Sequence, residues 1–212
     1  LFTALDLEET LNIALFDFDG TITNADMYTK FLHFSGTRRR ALLAKIVLPP
    51  FFLLYKAGVI PAPKMRTIAS FVAFSGRKVD EVGAAGEKYA EDVVPNYLRE
   101  VALNKLNWHK SNGDHIVIVS ASLDVYLKPW CTQNGFALVC SELEVDRGRF
   151  SGRYVNGDCS CANKPKLIRS KFELGRYEQI YAYGDTKEDL AMLSLADEAY
   201  FNWEQYAVVT ER

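Results

Sequence analysis

The sequence has almost no net charge: 25 lysines and arginines stand against 27 aspartates and glutamates, a formal −2 over 212 residues. That balance removes any global pull toward nucleic acid, and no nucleic-acid partner is expected. Cysteine is scarce. Cys131, Cys140, Cys159 and Cys161 are too few and too scattered for a disulfide scaffold. The lone Cys159-x-Cys161 pair and the dispersed His33, His109 and His115 do not give the ligand spacing of a zinc site. Reduced thiols and a cytoplasmic location are therefore expected. No signal peptide is visible, and the sequence shows neither an internal repeat nor a low-complexity tract. What it does have is 49% hydrophobic residues, enough for one large domain, or for a core carrying an insertion.

The chain is organised around residues 12–21, Asn-Ile-Ala-Leu-Phe-Asp-Phe-Asp-Gly-Thr. A short apolar run ends in two carboxylates, Asp17 and Asp19, followed by Gly20 and Thr21. Such a run reads as a buried strand. Residues two apart on a strand share a face, so both carboxylates can reach one point. Two close carboxylates repel unless a cation sits between them or one keeps its proton. A bare D-x-D-G fits a solvated turn equally well, and only the downstream chain decides between the two.

Residues 1–10 are a short polar lead with room for one helical turn. From 26 to about 106 no alternating strand is visible, and apolar residues recur at helical spacing between Gly and Pro breaks. This is an all-helical block of roughly seventy residues inserted after the first strand. An α/β pattern resumes near residue 97: a helix over 97–110 ending at Asn112-Gly113, a strand over 115–120, a helix over 123–134 ended by Gly135, and a strand over 136–141. A hairpin follows over 142–155 around Asp146-Arg147-Gly148. Asn163 opens a helix with Pro165 in its first turn. A fourth strand over 180–183 closes at Gly184-Asp185, followed by a helix over 186–195 with Asp185 and Glu188 as a capping box. Residues 198–201 make a short fifth strand.

Chemistry-bearing residues fall where strands end or helices begin: Asp17 and Asp19, Ser120, Lys164, then Asp185 and Asp189. Parallel strands joined by right-handed crossovers bring these ends to one edge of a sheet. The set suits phosphoryl transfer. A carboxylate can attack phosphorus, a lysine and Mg²⁺ can offset the meeting of two anions, and a serine hydroxyl with backbone N–H groups can donate to the phosphoryl oxygens. A second acid can protonate the leaving oxygen and then activate water. Singly, each residue has a plain structural role: strand-end hydroxyl, surface lysine, helix cap.

Together these motifs resemble the haloacid dehalogenase-like superfamily of phosphatases. Phe16-Asp17-Phe18-Asp19-Gly20-Thr21 matches its first motif, Ser120 the second, Lys164 the third, and Gly184-Asp185 through Asp189 the fourth. The resemblance spans about 12–201 and implies an α/β fold, a Rossmann-like three-layer parallel sheet over 1–23 and 95–212 with an inserted all-helical cap over 24–94. It implies Asp17 as nucleophile and metal ligand, and Asp19 as general acid and base whose carbonyl also binds the metal. Asp185 would complete the Mg²⁺ site, and Asp189 would orient Lys164 or a metal-bound water. Ser120 and the Ala121 N–H would hold phosphoryl oxygens, and Lys164 would neutralise nucleophile and phosphate. Lys166 is the competing lysine; Leu167 at the family's spacing favours Lys164. The helical block resembles the cap of the phosphoserine-phosphatase-like branch. Residues 148–152 with Cys159 and Lys164 resemble a bacterial subgroup that includes phosphatidylglycerophosphatase C.

Substrate choice is then expected in the cap. By resemblance, Asp26 and Arg66 stand where phosphoserine phosphatases hold the amino acid, although Asp26 serves equally as a helix N-cap. The substrate is expected to be a phosphomonoester: a lipid phosphate such as phosphatidylglycerophosphate, phosphoserine or another small metabolite. Transfer to an acceptor other than water, or a catalytically silent binding module on the same fold, are the other readings. Residues 38–60 raise a membrane question. Arg38-Arg39-Arg40 precede an apolar stretch interrupted by Lys45 and Lys56. Pro49-Pro50 are expected to cut it into two helical pieces, each too short to span a bilayer. The pieces either pack into the cap core or form an exposed apolar hairpin making peripheral contact with a membrane.

Overall fold

A computed structural model describes residues 11–207; the expected helical turn within 1–10 lies outside them. Strand β1 (Ile13–Phe16) is wholly buried. It pairs in parallel with β2 (His115–Leu123) on one side and β6 (Ile180–Gly184) on the other. With β3 (Ala137–Ser141), β7 (Glu198–Phe201) and β8 (Glu204–Tyr206) they form one sheet of order β3-β2-β1-β6-β7-β8. Only β8 runs antiparallel, paired to β7. The sequence pattern did not announce it: its residues are exposed, so no alternation marks them. Asn202 and Trp203 turn the chain into it at φ 51° and 68°.

The period-2 rule divides the core into two layers. Ala14 and Phe16, with Ile116 and Ile118, pack beneath α5 (Glu100–Ser111) and α6 (Asp124–Asn134). Ile13 and Leu15, with Val117 and Val119, pack against Ile168 of α7 (Asn163–Lys171) and Met192 and Leu193 of α8 (Leu190–Leu193). The three-layer α/β architecture is the one expected. On the α5 face the rings of Phe16, Tyr183 and Tyr200 stack across three strands, with centroids 4.3 and 4.9 Å apart. Beside them His109 is fully buried, its Nδ1 2.6 Å from Asp114 Oδ2 and its Nε2 2.9 Å from Tyr183 Oη. Burial holds this imidazole below its ordinary pKa, against the pull of Asp114.

Between β1 and α5 the described chain is helical, as the absence of strand periodicity predicts: α1 (Met27–Phe34), α2 (Arg38–Lys56), α3 (Ala62–Phe74), α4 (Val79–Asp92) and a short turn over Val94–Tyr97. The last takes the place of the first turn of the helix expected from 97. One expectation fails here. Pro49 and Pro50 do not cut 38–60 in two; α2 runs through both. The prolines deprive the carbonyls of Lys45 and Ile46 of their helical donors. Those residues and both prolines are exposed, so the freed carbonyls can turn to water and the rings meet no packed neighbour. Helix α2 contains no buried residue. It lies against α3, and α3 packs on β5 (Arg149–Tyr154), which pairs with β4 (Leu143–Asp146) in the expected hairpin.

Candidate active site

Three parallel strands deliver the site residues to one edge. Past the end of β1 the Asp17 N–H still donates to the Tyr183 carbonyl of β6, at 2.9 Å. The chain then winds through a wide turn over Phe18–Ile22, in which Gly20 takes φ +85°. That turn brings Thr21 Oγ back to donate to Asp185 Oδ1 at 3.1 Å. A Cβ on Gly20 would lie 2.1 Å from Asp185 Oδ2. Glycine is thus required both by the positive φ and by the approach of the carboxylate. Gly184 is crowded in the same way: a Cβ there would sit 2.5 Å from that of Asp189.

Lys164 enters from the first turn of α7 and is 1% exposed. Its Nζ donates to Asp17 Oδ1 at 2.6 Å, Asp189 Oδ1 at 2.5 Å and the Val119 carbonyl at 3.0 Å. All three ammonium hydrogens are therefore used. Lys166, the competing lysine, is exposed. Asp189 Oδ2 accepts from Thr186 N and Oγ1 at 3.0 and 2.9 Å. The capping box is therefore Thr186 with Asp189, not Asp185 with Glu188, because Lys164 pins Asp189 where it can face Thr186 and Thr21 engages Asp185. The expected helix over 186–195 shrinks to a single turn over Lys187–Asp189 followed by α8.

One ammonium shared by buried carboxylates leaves excess negative charge. Burial and the neighbouring Asp189 push Asp17 well above the usual carboxylate range, against the opposing pull of Lys164. Burial and Asp189 likewise raise Asp185. Against the burial that would raise it, Lys164 and Thr186 hold Asp189 low. Asp17, Asp185 and Asp189 each offer a carboxylate oxygen within 4.8 Å of the others. The Oδ2 atoms of Asp17 and Asp185 lie outside the hydrogen bonds just named. An all-oxygen, electron-rich donor set of this kind fits a hard divalent cation such as Mg²⁺.

Asp19 lies beside this cluster but faces elsewhere. Its carboxylate accepts from Met27 N at 2.5 Å and Tyr28 N at 3.3 Å, in the first turn of α1. Ser122 Oγ donates to it at 2.5 Å and Ser120 Oγ at 3.2 Å. Burial pushes its carboxyl up to about 6, offset in part by the Ser122 bond. Ser120 also accepts from Ser122 N at 3.0 Å. Ser122 was missed by sequence reasoning, although Ser120-Ala121-Ser122 places two hydroxyls on one face of an extended chain.

The two expected substrate contacts do not converge. Asp26 is the N-cap of α1, accepting from Thr29 N at 2.9 Å and Thr29 Oγ1 at 2.6 Å. Arg66 of α3 pairs with Asp158 through Nε and Nη2 at 2.8 and 3.0 Å, and with Glu188 through Nη2 at 2.7 Å. It ties α3 to the loops before α7 and after β6. No sequence signal points to Asp158, which stands 92 residues from its partner.

The sequence profile of the haloacid dehalogenase-like hydrolases matches residues 14–194. Protein CicA of Caulobacter vibrioides is 29% identical over 197 residues, covering 88% of this chain and 83% of that protein. A histidinol-phosphatase of Neisseria meningitidis is 24% identical over 200 residues, covering 88% of each chain. Among solved structures, a Bordetella pertussis protein of unknown function superposes with a TM-score of 0.75 at 20% identity, covering 91% of this chain and 90% of that one. A phospho-aspartyl intermediate analogue of phosphoserine phosphatase superposes at 0.62 with 15% identity, covering 91% and 86%. The matched profile spans all four motifs, and the chain belongs to the haloacid dehalogenase-like hydrolase family.

Proposed function

We propose that the protein hydrolyses a phosphomonoester through an aspartyl phosphate on Asp17, with Mg²⁺ as cofactor. The observation that carries this reading is the buried Asp17–Lys164–Asp189 chain with Asp185 alongside. Mg²⁺, held by Asp17, Asp185 and the Asp19 carbonyl, would offset the repulsion between nucleophile and phosphate. Lys164 fixes one oxygen of Asp17 and leaves the other for attack. As that oxygen bonds to phosphorus, the ester P–O bond breaks and the Asp19 carboxyl protonates the leaving oxygen. Asp19 then takes a proton from water, whose oxygen displaces Asp17 from phosphorus and frees inorganic phosphate. A carboxyl raised to about 6 suits a group that must give a proton and take one back. In this reading Ser120, released from its bond to Asp19, and the Ala121 N–H would donate to the phosphoryl oxygens.

Residues 24–94 act in this reading as a cap over a core formed by 1–23 and 95–212. Asp19 bonds to the start of α1 and Arg66 of α3 to Asp158 and Glu188. Both ties join the helices to the catalytic edge. For the substrate we favour a lipid phosphate of the phosphatidylglycerophosphate type. The sequence resemblance of 148–164 supports it, as does the exposed apolar helix α2, which would set the enzyme at the inner face of a membrane. The second reading is a small amino-acid or amino-alcohol phosphate, supported by the phosphatase relatives. All four motifs are present, which counts against a silent binding module.

The test is phosphate release with Mg²⁺ from phosphatidylglycerophosphate in detergent, phosphoserine and histidinol phosphate, with and without added alcohols. Release from at least one substrate, lost in Asp17→Asn, is expected. Unaltered release in that variant would overturn the mechanism, and phosphoryl transfer to the alcohols would replace hydrolysis with transfer.

A further inference from the structure

Residues 27–79 hold ten of the chain's 25 lysines and arginines and none of its 27 acids. A protein of net charge −2 has therefore separated its charges, collecting a long positive segment in α1–α3. Helix α2 is the part of it turned outward. Ala44, Val47, Leu48, Phe51 and Tyr55 form its half-buried stripe. Arg40 joins that side, donating to the carbonyls of Val72 and Ser75. The opposite arc should be polar on a soluble helix. Instead it carries Leu42, Leu43, Ile46, Phe52, Leu53 and Leu54, with Ile46 and Leu53 each 69% exposed. Val59 extends the patch past the helix end at 67% exposed. At helical spacing, Arg38, Arg39, Lys45 and Lys56 fall on this same arc.

We infer that the outer face of α2 docks on an anionic lipid bilayer, lying in the headgroup region with its apolar residues down. Charge selects this occupant. A second copy laid on the same face would bring cations against cations, whereas anionic headgroups supply the missing sign. The helix lies on the bilayer and does not cross it: no helix among the described residues is long and apolar enough to span. The prolines suit this depth, because the carbonyls they free can bond to water at the interface, which the hydrocarbon interior would not allow. Docking requires no turnover, so its failure and the failure of the hydrolytic reading are separately visible.

The test is co-sedimentation of the full chain with vesicles of phosphatidylcholine alone or mixed equally with phosphatidylglycerol, across a salt series. The expected result is binding to the mixed vesicles only, weakening as salt rises. Ile46→Asp/Leu53→Asp should abolish it. Arg38→Gln/Arg39→Gln/Lys45→Gln should weaken it by about fivefold per cation removed. Circular dichroism confirms that the variants fold, and Leu53→Trp gives a second readout, a blue-shifted emission on the mixed vesicles alone. A wild type that stays in the supernatant with both vesicles, or variants that bind as well as it does, would overturn the inference. So would light scattering that shows a dimer dissolved by the aspartate variants, since a second copy would then be the occupant.

Discussion

The end of β1 and the outer face of α2 reverse each other's expected chemistry. At the first, a lysine and two aspartates are sealed away, Lys164 and Asp189 at 1% exposure and Asp17 at 6%. At the second, leucines and isoleucine stand in the open. Buried charge is costly unless paired and hydrogen-bonded, and open apolar area forgoes about 25 cal/mol per Å². Neither arrangement serves stability by itself. The first is held by a saturated hydrogen-bond set around Lys164. The second has no such compensation among the described residues. A buried ionic cluster with its partners present points inward, to a reaction. An unpartnered apolar face points outward, to a surface.

The largest effect expected is on chemistry. Asp17→Asn should abolish turnover, and Asp19→Asn should cost roughly 10²–10⁴-fold in rate, both in proteins with unchanged circular dichroism. Next comes a direct contrast between the regions. Leu15→Asp buries an unpaired carboxylate in the sheet and should cost more than about 4 kcal/mol, while Leu53→Asp should stay within about 0.5; urea melts of the two decide it. Equal destabilisation would mean that α2 is covered in solution. Lys164→Met strands two carboxylates and should cost about 3–5 kcal/mol.

Mg²⁺ sharpens the inward half. Saturating metal should raise the melting temperature of the wild type by mass action, and Gly20→Ala or Asp185→Asn should lose that rise. Scanning calorimetry with Mg²⁺ and with chelator measures it. The smallest effect concerns His109, buried on α5 against the Phe16 and Tyr183 rings. Its folded pKa lies below its unfolded value of about 6.5. Its neutral form therefore contributes nothing pH-dependent above that value, and stability falls as pH drops below it, by at most about 1.4 kcal/mol per unit. His109→Gln should flatten the decline of the urea midpoint between pH 6.5 and 5.

Where sequence and structure agree, the cause is local. Asp17, Asp19 and Asp185 follow short apolar runs that read as strands, and the order of the motifs downstream separates them from plain turn residues; Gly135 and Gly113 mark helix ends because only a left-handed residue fits there. Lys164 was legible through its place in a motif order. Ser122 was hidden because a strand-end hydroxyl has a plain role by default, and here β2 runs to Leu123, three residues past the strand expected over 115–120. The Arg66 cluster was hidden for a deeper reason: it joins α3 to two loops, and no periodicity links 66, 158 and 188. Helix α2 was misjudged because the rule that proline breaks a helix assumes an interior where the lost bonds have no substitute. On an exposed face water supplies one.

Arg66 has one more consequence. Asp158 and Glu188 stand 30 residues apart on the chain, and both are neutralised by a single guanidinium carried on α3. Displacing α3 would take that counter-charge with it and strand two carboxylates, one of them nearly buried. The docking of α3 and the neutrality of these two carboxylates are thus set by the same side chain, so that α3 cannot be repositioned without changing the local charge.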